Sequence, residues 1–335
     1  MQSSRIGTVD ALRGIASVAV CFFHLTNGPT AFIFLPEGLL KHAGSFGFLG
    51  VQVFFVISGF IIPYALHKAR YELKHYGTFV IKRVVRLDPP YLATILFVIT
   101  LGYLSAKAPG FRGPPFHLSI TQVLLHLAYL NVFFGKEWLV GAFWTLAIEF
   151  QYYLLLGLLY PLISHKSLWT RLGMFTILGL LAINLPDRHY LPHWFFLFML
   201  GMLSFHHRAG MIAGFKFWVI LLILACGACY TLGPLMAGVG LATACAIAFV
   251  KTSNKALLFF GSISYSLYLV HMPIGSKVIN LGSRFSDSMA AKIILVAAGF
   301  ALSVAGAYLL YRFIEKPAQD WSSRIKYRTQ KPTSS

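Results

Sequence analysis

Charged residues are scarce in this chain, and acidic residues are the scarcest of them. Asp, Glu, Lys and Arg make up 11% of the 335 residues, whereas a soluble domain averages about 25%. Hydrophobic residues make up 57%. A soluble fold could not cover its surface with so little charge, and a disordered chain would be far less apolar. The composition therefore predicts a polytopic membrane protein.

Cysteine is also rare, with four residues at positions 21, 226, 229 and 245. All four lie in apolar stretches, so we expect no disulfide framework. Cys226 and Cys229 have the spacing of a redox or zinc motif, but no second pair or histidine cluster completes a metal site. We predict no metal and interpret the cysteines as small packing residues.

The ten acidic residues stand against 28 Lys plus Arg, which gives a net charge of +18. A basic soluble protein is often a nucleic-acid binder, which needs a basic face with stacking aromatic residues nearby. Here the 30 Phe and 16 Tyr lie inside long apolar runs. We therefore predict no nucleic-acid partner, and expect the positive charge to orient the protein in a bilayer.

Long apolar runs are what the sequence has in abundance. A membrane-spanning helix needs about 20 mostly apolar residues, and ten segments qualify: 9–27, 46–66, 88–106, 143–163, 170–186, 192–206, 215–232, 235–250, 262–281 and 290–314. An eleventh segment, 119–134, is short and contains the polar residues Gln122, His126 and Asn131.

The distribution of Lys and Arg decides between ten and eleven spans. The predicted loop 67–88 holds six basic residues, which the positive-inside rule places in the cytoplasm. Ten spans keep the later basic loops and both termini on the cytoplasmic side, whereas eleven would turn those loops outward. We predict an all-α bundle of about ten transmembrane helices with both termini cytoplasmic. Segment 119–134 becomes a re-entrant or interfacial piece on the outer side. We expect residues 1–318 to form one transmembrane domain and 319–335 a basic cytoplasmic tail.

Ionisable residues within the first span are candidates for function, because charge at membrane depth is costly. His24 follows Arg13 by eleven residues, which places both on one helix face roughly 16 Å apart along the axis. Asp10 lies three residues before Arg13 and can pair with it. The alternatives are that Arg13 snorkels to the interface and that His24 bonds a neighbouring helix. The sequence leaves both readings open.

Glu149 is the only acidic residue well inside a predicted span. Burial would neutralise an unpaired carboxylate, so we expect a cationic or hydrogen-bonding partner, such as an Arg or His of another helix. A purely structural buried pair is the alternative.

Two further groups of polar residues are ambiguous. Lys82, Arg83 and Arg86 would lie at a cytoplasmic helix mouth, where they could bind anionic lipid or hold the phosphates of a ligand. Ser264, Tyr268 and His271 share one helical face. Such a face indicates either a polar cavity or hydrogen bonding between helices.

Together these features resemble the acyltransferase-3 family of integral-membrane acyltransferases. The similarity spans nearly the whole chain and rests on five motifs in order: Asp10-Ala11-Leu12-Arg13-Gly14 with His24, Val53 to Phe60, Lys82 to Arg86, Trp144-Thr145-Leu146 with Glu149, and Ser264 to His271 followed by Arg312 to Pro317. Lys82 replaces the family's usual first Arg, and Thr145 its usual Ser.

The resemblance implies transfer of an acyl group, commonly acetyl, from cytoplasmic acyl-CoA to a hydroxyl. The acceptors would be carbohydrates or glycolipids of the cell envelope, or a small molecule such as a macrolide. Many members carry an outer esterase-like domain. This chain shows none, so we expect the membrane domain to perform the whole reaction, in a bacterial cytoplasmic membrane with membrane lipid around it.

Site roles follow from the resemblance together with the chemistry. We expect Arg13, Lys82, Arg83 and Arg86 to hold the donor phosphates. His24 would act as general base, with Glu149 or Asp10 orienting a partner. We expect a substrate cavity lined by Trp144, Tyr153, Ser264, Tyr268 and His271. The rival interpretations are a proton-coupled secondary transporter, which predicts inverted repeats that the sequence does not clearly show, and a non-catalytic membrane scaffold.

Overall fold

The computed structural model describes residues 6–28, 34–107, 117–252 and 254–327. Within those ranges the regular secondary structure is helical, with no strand, which confirms the predicted all-α membrane bundle. The helices are α1 (Gly7–Asn27), α2 (Leu39–Ser45), α3 (Gly50–Lys68), α4 (Tyr76–Ala106), α5 (Ile120–Leu127), α6 (Trp144–Ile163), α7 (Leu168–Asn184), α8 (Phe195–Arg208), α9 (Phe215–Leu232), α10 (Pro234–Phe249), α11 (Lys255–Gly282), α12 (Met289–Leu310) and α13 (Lys316–Arg324). Residues 328–335 of the predicted tail lie outside the described ranges.

Every predicted span coincides with a helix. In the described part of the chain, seven are long and apolar enough to cross a bilayer. The other three, α7, α8 and α10, have 17, 14 and 16 residues. The 14 residues of α8 reach about 21 Å, which is short of the roughly 30 Å hydrocarbon core. The number of spans and the side of each terminus stay predictions.

Segment 119–134 is a short helix followed by a 3-10 turn (Asn131–Phe134). The eight residues of α5 reach only about 12 Å. The buried His126 ties the segment together, because its Nε2 accepts the Leu139 N–H at 3.1 Å. Burial lowers the pKa of His126, which favours the neutral ring that this bond requires. Helix α5 alone is too short to cross the hydrocarbon core, and the re-entrant or interfacial placement of the segment stays a prediction.

The prediction of a loop over 67–88 is wrong from residue 76 onward, where the chain is helical. Helix α4 begins at Tyr76 and runs unbroken through Pro89 and Pro90 to Ala106. The predicted span starts at residue 88, and both prolines lie inside the longer helix of the structure. The helix begins a further three turns earlier because Tyr76 and Phe79 pack against Gly157 of α6. The basic residues Lys82, Arg83 and Arg86 thus lie on a helix.

The described residues form two compact units. The first draws on Met1–Phe54, Pro89–Ile148 and Phe249–Ile314, and the second on Phe55–Asp88, Glu149–Ala248 and Glu315–Ser335. The prediction of a single domain over 1–318 stays a prediction.

In the first unit, α1 packs against α11 at backbone contact. A Cβ built on Gly261 would lie 2.1 Å from the Asp10 carbonyl oxygen, and one on Gly14 would lie 2.6 Å from that of Leu257. Only glycine permits this approach, as in many membrane helix pairs.

The two helices of this pair run parallel. Gly14 meets Gly261, and ten residues further along each helix His24 meets His271. Parallel packing requires an odd number of spans between α1 and α11. The ten-span prediction meets that condition, whereas counting 119–134 as a span does not.

In the second unit, α8 is buried at every position from Phe195 to His206. It contacts α3 through two glycines, since a Cβ on Gly59 would lie 2.1 Å from the Phe198 carbonyl oxygen and one on Gly201 would lie 2.0 Å from that of Val56. The glycine of the Ser58-Gly59-Phe60 motif is therefore needed for helix packing.

Candidate active site

Two histidines of the first unit contact each other inside the bundle. His24 of α1 is half-buried and His271 of α11 is buried. The distance from His271 Nε2 to His24 Nδ1 is 3.1 Å, and the ring centroids are 4.9 Å apart. Sequence reasoning selected both residues but gave no indication that they touch.

The backbone fixes the proton positions on this pair. His271 Nδ1 lies 3.0 Å from the Leu267 carbonyl oxygen, and His24 Nδ1 lies 3.0 Å from that of Val20. A carbonyl only accepts, so each Nδ1 carries the hydrogen when the ring is neutral. His271 Nε2 then accepts from His24 Nδ1–H, and the lone pair of His24 is left on Nε2. That atom has no hydrogen-bond partner among the described residues, so it is available as a base.

A pair of hydroxyl groups lies near this site on the same unit. Tyr268 Oη is 2.6 Å from Thr145 Oγ1, and both hydroxyls lie within 3.1 Å of the Ala142 carbonyl oxygen. The tyrosine ring also contacts that of Phe54, with centroids 5.7 Å apart. Thr145 supplies here the hydroxyl that the family's serine would supply.

The remaining first-unit candidates are placed as follows. Ser264 is buried, and its hydroxyl donates to Gly261 O of its own helix at 2.9 Å. Trp144 is half-buried at the start of α6. Sequence periodicity correctly puts Ser264 on the face of Tyr268 and His271, but its hydroxyl hydrogen is already used.

The expected pairing of Asp10 with Arg13 is absent from the structure. None of the ion pairs between described residues joins them, and both side chains are half-buried. Spacing of i, i+3 allows such a pair without requiring it. Asp10 is also fourteen residues before His24, about 21 Å along the helix axis. The two side chains therefore do not meet on α1, and the role of Asp10 stays a prediction.

Glu149 belongs to the second unit, where two hydroxyls bind it. Ser58 Oγ of α3 and Tyr153 Oη of α6 both donate to Glu149 Oε1. The guanidinium of Arg83 lies over the Tyr153 ring at 5.5 Å and over the Phe79 ring at 5.3 Å. The expectation of hydrogen-bonding partners is confirmed, but no ion pair between Glu149 and an Arg or His is present in the described ranges. Ser58 was missed as a partner, although it lies in a motif that the sequence analysis identified.

Lys82 is occupied by the C-terminal segment. Its Nζ donates to the carbonyl oxygens of Ser322, at 2.8 Å, and Ile325, and Ser322 Oγ donates back to Lys82 O at 2.7 Å. The ammonium also lies 5.7 Å from the Tyr327 ring centroid. A lysine at the carboxyl end of α13 offsets the negative end of the helix dipole. The two bonds to Ser322 and Ile325 use two of the three N–H groups of the Lys82 ammonium. Arg86 is half-buried on the same helix.

Removing the Glu149 carboxylate should destabilise the protein. Glu149→Ala leaves the Ser58 and Tyr153 hydroxyls without their acceptor, at about 1–3 kcal/mol for each buried donor left unpaired. We expect its melting temperature in detergent to fall by several degrees, and that of Glu149→Gln to fall less because the amide oxygen still accepts. Glu72→Ala, at an exposed carboxylate, is the control. A wild-type melting temperature for Glu149→Ala would show that the hydrogen bonds of Ser58 and Tyr153 to Glu149 do not stabilise the protein.

Comparison with known proteins identifies the family. The family model Acyl_transf_3, described as an acyltransferase domain, matches residues 6–312. The chain belongs to the acyltransferase-3 family. The acyltransferase is thus a multi-pass membrane protein, as the five motifs predict.

Two relatives agree with this assignment. A protein of Acidianus two-tailed virus that is named as an acetyltransferase, ORF330, is 25% identical over 302 residues, or 81% of this chain and 84% of its own. A protein of Komagataeibacter xylinus named as a membrane-bound transacylase, BcsY, is 30% identical over 179 residues, or 48% of this chain and 39% of its own. No solved structure matches the chain.

Proposed function

We propose that this acyltransferase moves an acetyl group from cytoplasmic acyl-CoA to a hydroxyl of a sugar or an envelope polysaccharide precursor. The observation that carries the proposal is the histidine pair, which leaves the His24 Nε2 lone pair unpartnered inside the bundle of a family member. The acetyl group is favoured because the viral relative is named as an acetyltransferase. The cytoplasmic membrane of a bacterium is the proposed location. The relative from Komagataeibacter xylinus is named as a membrane-bound transacylase, and the basic segments predict one cytoplasmic side.

The reaction requires a base, and a hydrogen-bond acceptor for the other nitrogen of the same ring. His24 Nε2 removes the proton of the acceptor hydroxyl while that oxygen attacks the thioester carbonyl. A C–O ester bond forms, the C–S bond breaks, and the CoA sulfur leaves and receives the proton from the imidazolium. During this cycle His271 Nε2 accepts the His24 Nδ1–H, which holds the ring in place and stabilises its charged form.

The basic residues support recognition of the donor phosphates. Arg83 and Arg86 have guanidinium groups that match phosphate oxygens with two parallel hydrogen bonds. Arg13 is the corresponding basic residue on α1, and Lys82 contributes through its remaining N–H. In this proposal the basic residues of the second unit bind the nucleotide part of CoA. On the first unit, the half-buried Trp144 offers an aromatic surface to the acceptor.

The direct test is transfer of labelled acetyl groups by purified protein. We expect acetyl-CoA labelled in the acetyl group to give an alkali-labile ester on a sugar acceptor or on envelope glycolipid, with free CoA formed in equal amount. Protein reconstituted without acceptor should release little CoA. The function would be contradicted by solute flux into proteoliposomes with no ester product, which is the result that a transporter gives. A macrolide acceptor included in the same assay tests the small-molecule alternative.

A further inference from the structure

A surface cavity of about 530 Å³ lies in the second unit, apart from the residues assigned to catalysis. It is lined by the starts of α7 and α9 and by the turn between α8 and α9, chiefly through Leu168, Arg171, Met211, Ile212, Phe215 and Lys216. In the ten-span topology all three elements lie on the cytoplasmic side.

Arg171 provides a buried and largely unpartnered positive charge in this cavity. Its residue surface is 4% exposed. A guanidinium has five N–H donors, yet within the described ranges Arg171 makes one hydrogen bond, from Nη1 to Met211 O at 3.3 Å. Its Nε is buried with no partner. A buried charge of this kind is stable only when an anion or further acceptors complete it.

No carboxylate of the described residues forms an ion pair with Arg171. Residues 150–186 and 188–248 contain no Asp or Glu, but they contain Lys166, Arg171, Arg208 and Lys216. An anion that pairs with Arg171 would therefore come from outside the described residues.

The backbone around the cavity is preorganised. Gly210 and Gly214 have φ values of 71° and 59°, a conformation that favours glycine. The turn is closed by Met211 N–H donating to His206 O at 2.8 Å. This turn delivers the amino end of the 18-residue helix α9 to the cavity, and such an end favours a negatively charged ligand.

We propose that this cavity binds the phosphate headgroup of an anionic phospholipid of the cytoplasmic leaflet. A guanidinium fork, the exposed Lys216 and a helix amino terminus together match a phosphate group. A lipid fits better than a soluble phosphate because large exposed aromatic residues lie at the same helix ends: Phe215 lines the cavity, and Trp169 and Trp218 are close in sequence to lining residues. Trp169 is 81% exposed, Phe215 82% and Trp218 52%. Tryptophan at such a position is typical of a membrane–water interface, and basic pockets on the cytoplasmic side bind acidic headgroups.

Delipidated protein in detergent provides the test. We expect phosphatidylglycerol to raise the melting temperature and to be retained at one molecule per chain in native mass spectrometry, and phosphatidylcholine to do neither. Lys216→Ala should weaken phosphatidylglycerol binding about fivefold, as expected for loss of one basic residue near the lipid. Lys166→Ala removes an exposed cation of the same region that does not line the cavity, and should leave binding unchanged.

Arg171 tests the geometry as well as the charge. Arg171→Lys keeps the charge but loses the fork, so we expect weaker binding by a larger factor than for Lys216→Ala. If Arg171→Lys does not fold, the comparison of Lys216→Ala with Lys166→Ala decides the proposal. Equal stabilisation by phosphatidylcholine would overturn recognition of an anion. Inorganic phosphate or CoA that binds as tightly as phosphatidylglycerol would overturn the lipid as occupant.

Discussion

His24→Ala should lower kcat for acetyl transfer by about 10²–10⁴-fold, the range that general-base catalysis typically contributes. The imidazole Nε2 is the atom that takes the acceptor proton in the proposed reaction, and the methyl group of alanine cannot replace it. Binding of acetyl-CoA should change little, because the donor phosphates are assigned to arginine and lysine side chains. The measurement is kcat from ester formation, together with the Kd of acetyl-CoA for both proteins.

The controls for His24→Ala separate catalysis from folding. His189→Ala removes an exposed histidine outside the predicted spans, and should retain full activity. His271→Ala should lower kcat less than His24→Ala, since the His24 Nδ1–H keeps its bond to the Val20 carbonyl. Added imidazole should restore part of the activity of His24→Ala. Wild-type turnover by a correctly inserted His24→Ala protein would remove His24 from the mechanism.

Gly261→Leu should disrupt the fold and the activity together. Even a Cβ at this position would lie 2.1 Å from the Asp10 backbone oxygen, so α1 and α11 must separate to admit a side chain. Overpacking of this kind costs about 1–3 kcal/mol, and more where backbone must move. The histidines lie ten residues beyond the glycine contact on both helices, so the separation should also break the bond between His24 and His271. We expect a lower melting temperature and strongly reduced acetyl transfer.

A matched glycine provides the control for this prediction. Gly238 lies inside α10, and a Cβ there would meet no atom within 4 Å. Gly238→Leu should therefore be inserted, melt and turn over like the wild type. If Gly261→Leu behaves in the same way, the close packing of α1 with α11 is incorrect.

The two substitutions leave different signatures. His24→Ala should lose activity with a smaller fall in melting temperature, because it removes a half-buried side chain and its bond to His271 without creating an overlap. Gly261→Leu should lose both. Measuring the two quantities on the same preparations therefore distinguishes a missing base from a displaced helix.

Hydropathy and charge determined the class of this protein and the positions of its helices. A run of apolar residues must avoid water whatever its neighbours are, so ten segments could be recognised individually. The five motifs could also be recognised individually, because each is a short local pattern, and together they identified the family. The start of α4 was misjudged, since Tyr76 and Phe79 extend that helix by packing against Gly157, a residue distant in sequence.

The tertiary structure alone decided which functional groups meet. Periodicity placed His24 on one face of α1 and His271 on one face of α11, but their contact depends on the glycine approach that sets the register of the two helices. The tertiary structure likewise brought the hydroxyls of Ser58 and Tyr153 to Glu149, and the C-terminal segment to Lys82. Hydrogen bonds depend on tenths of an ångström between distant segments, whereas composition and spacing report only on neighbours along the chain. The sequence by itself thus determined a basic, helical membrane acyltransferase, and the packing of its helices decided which of its functional groups meet.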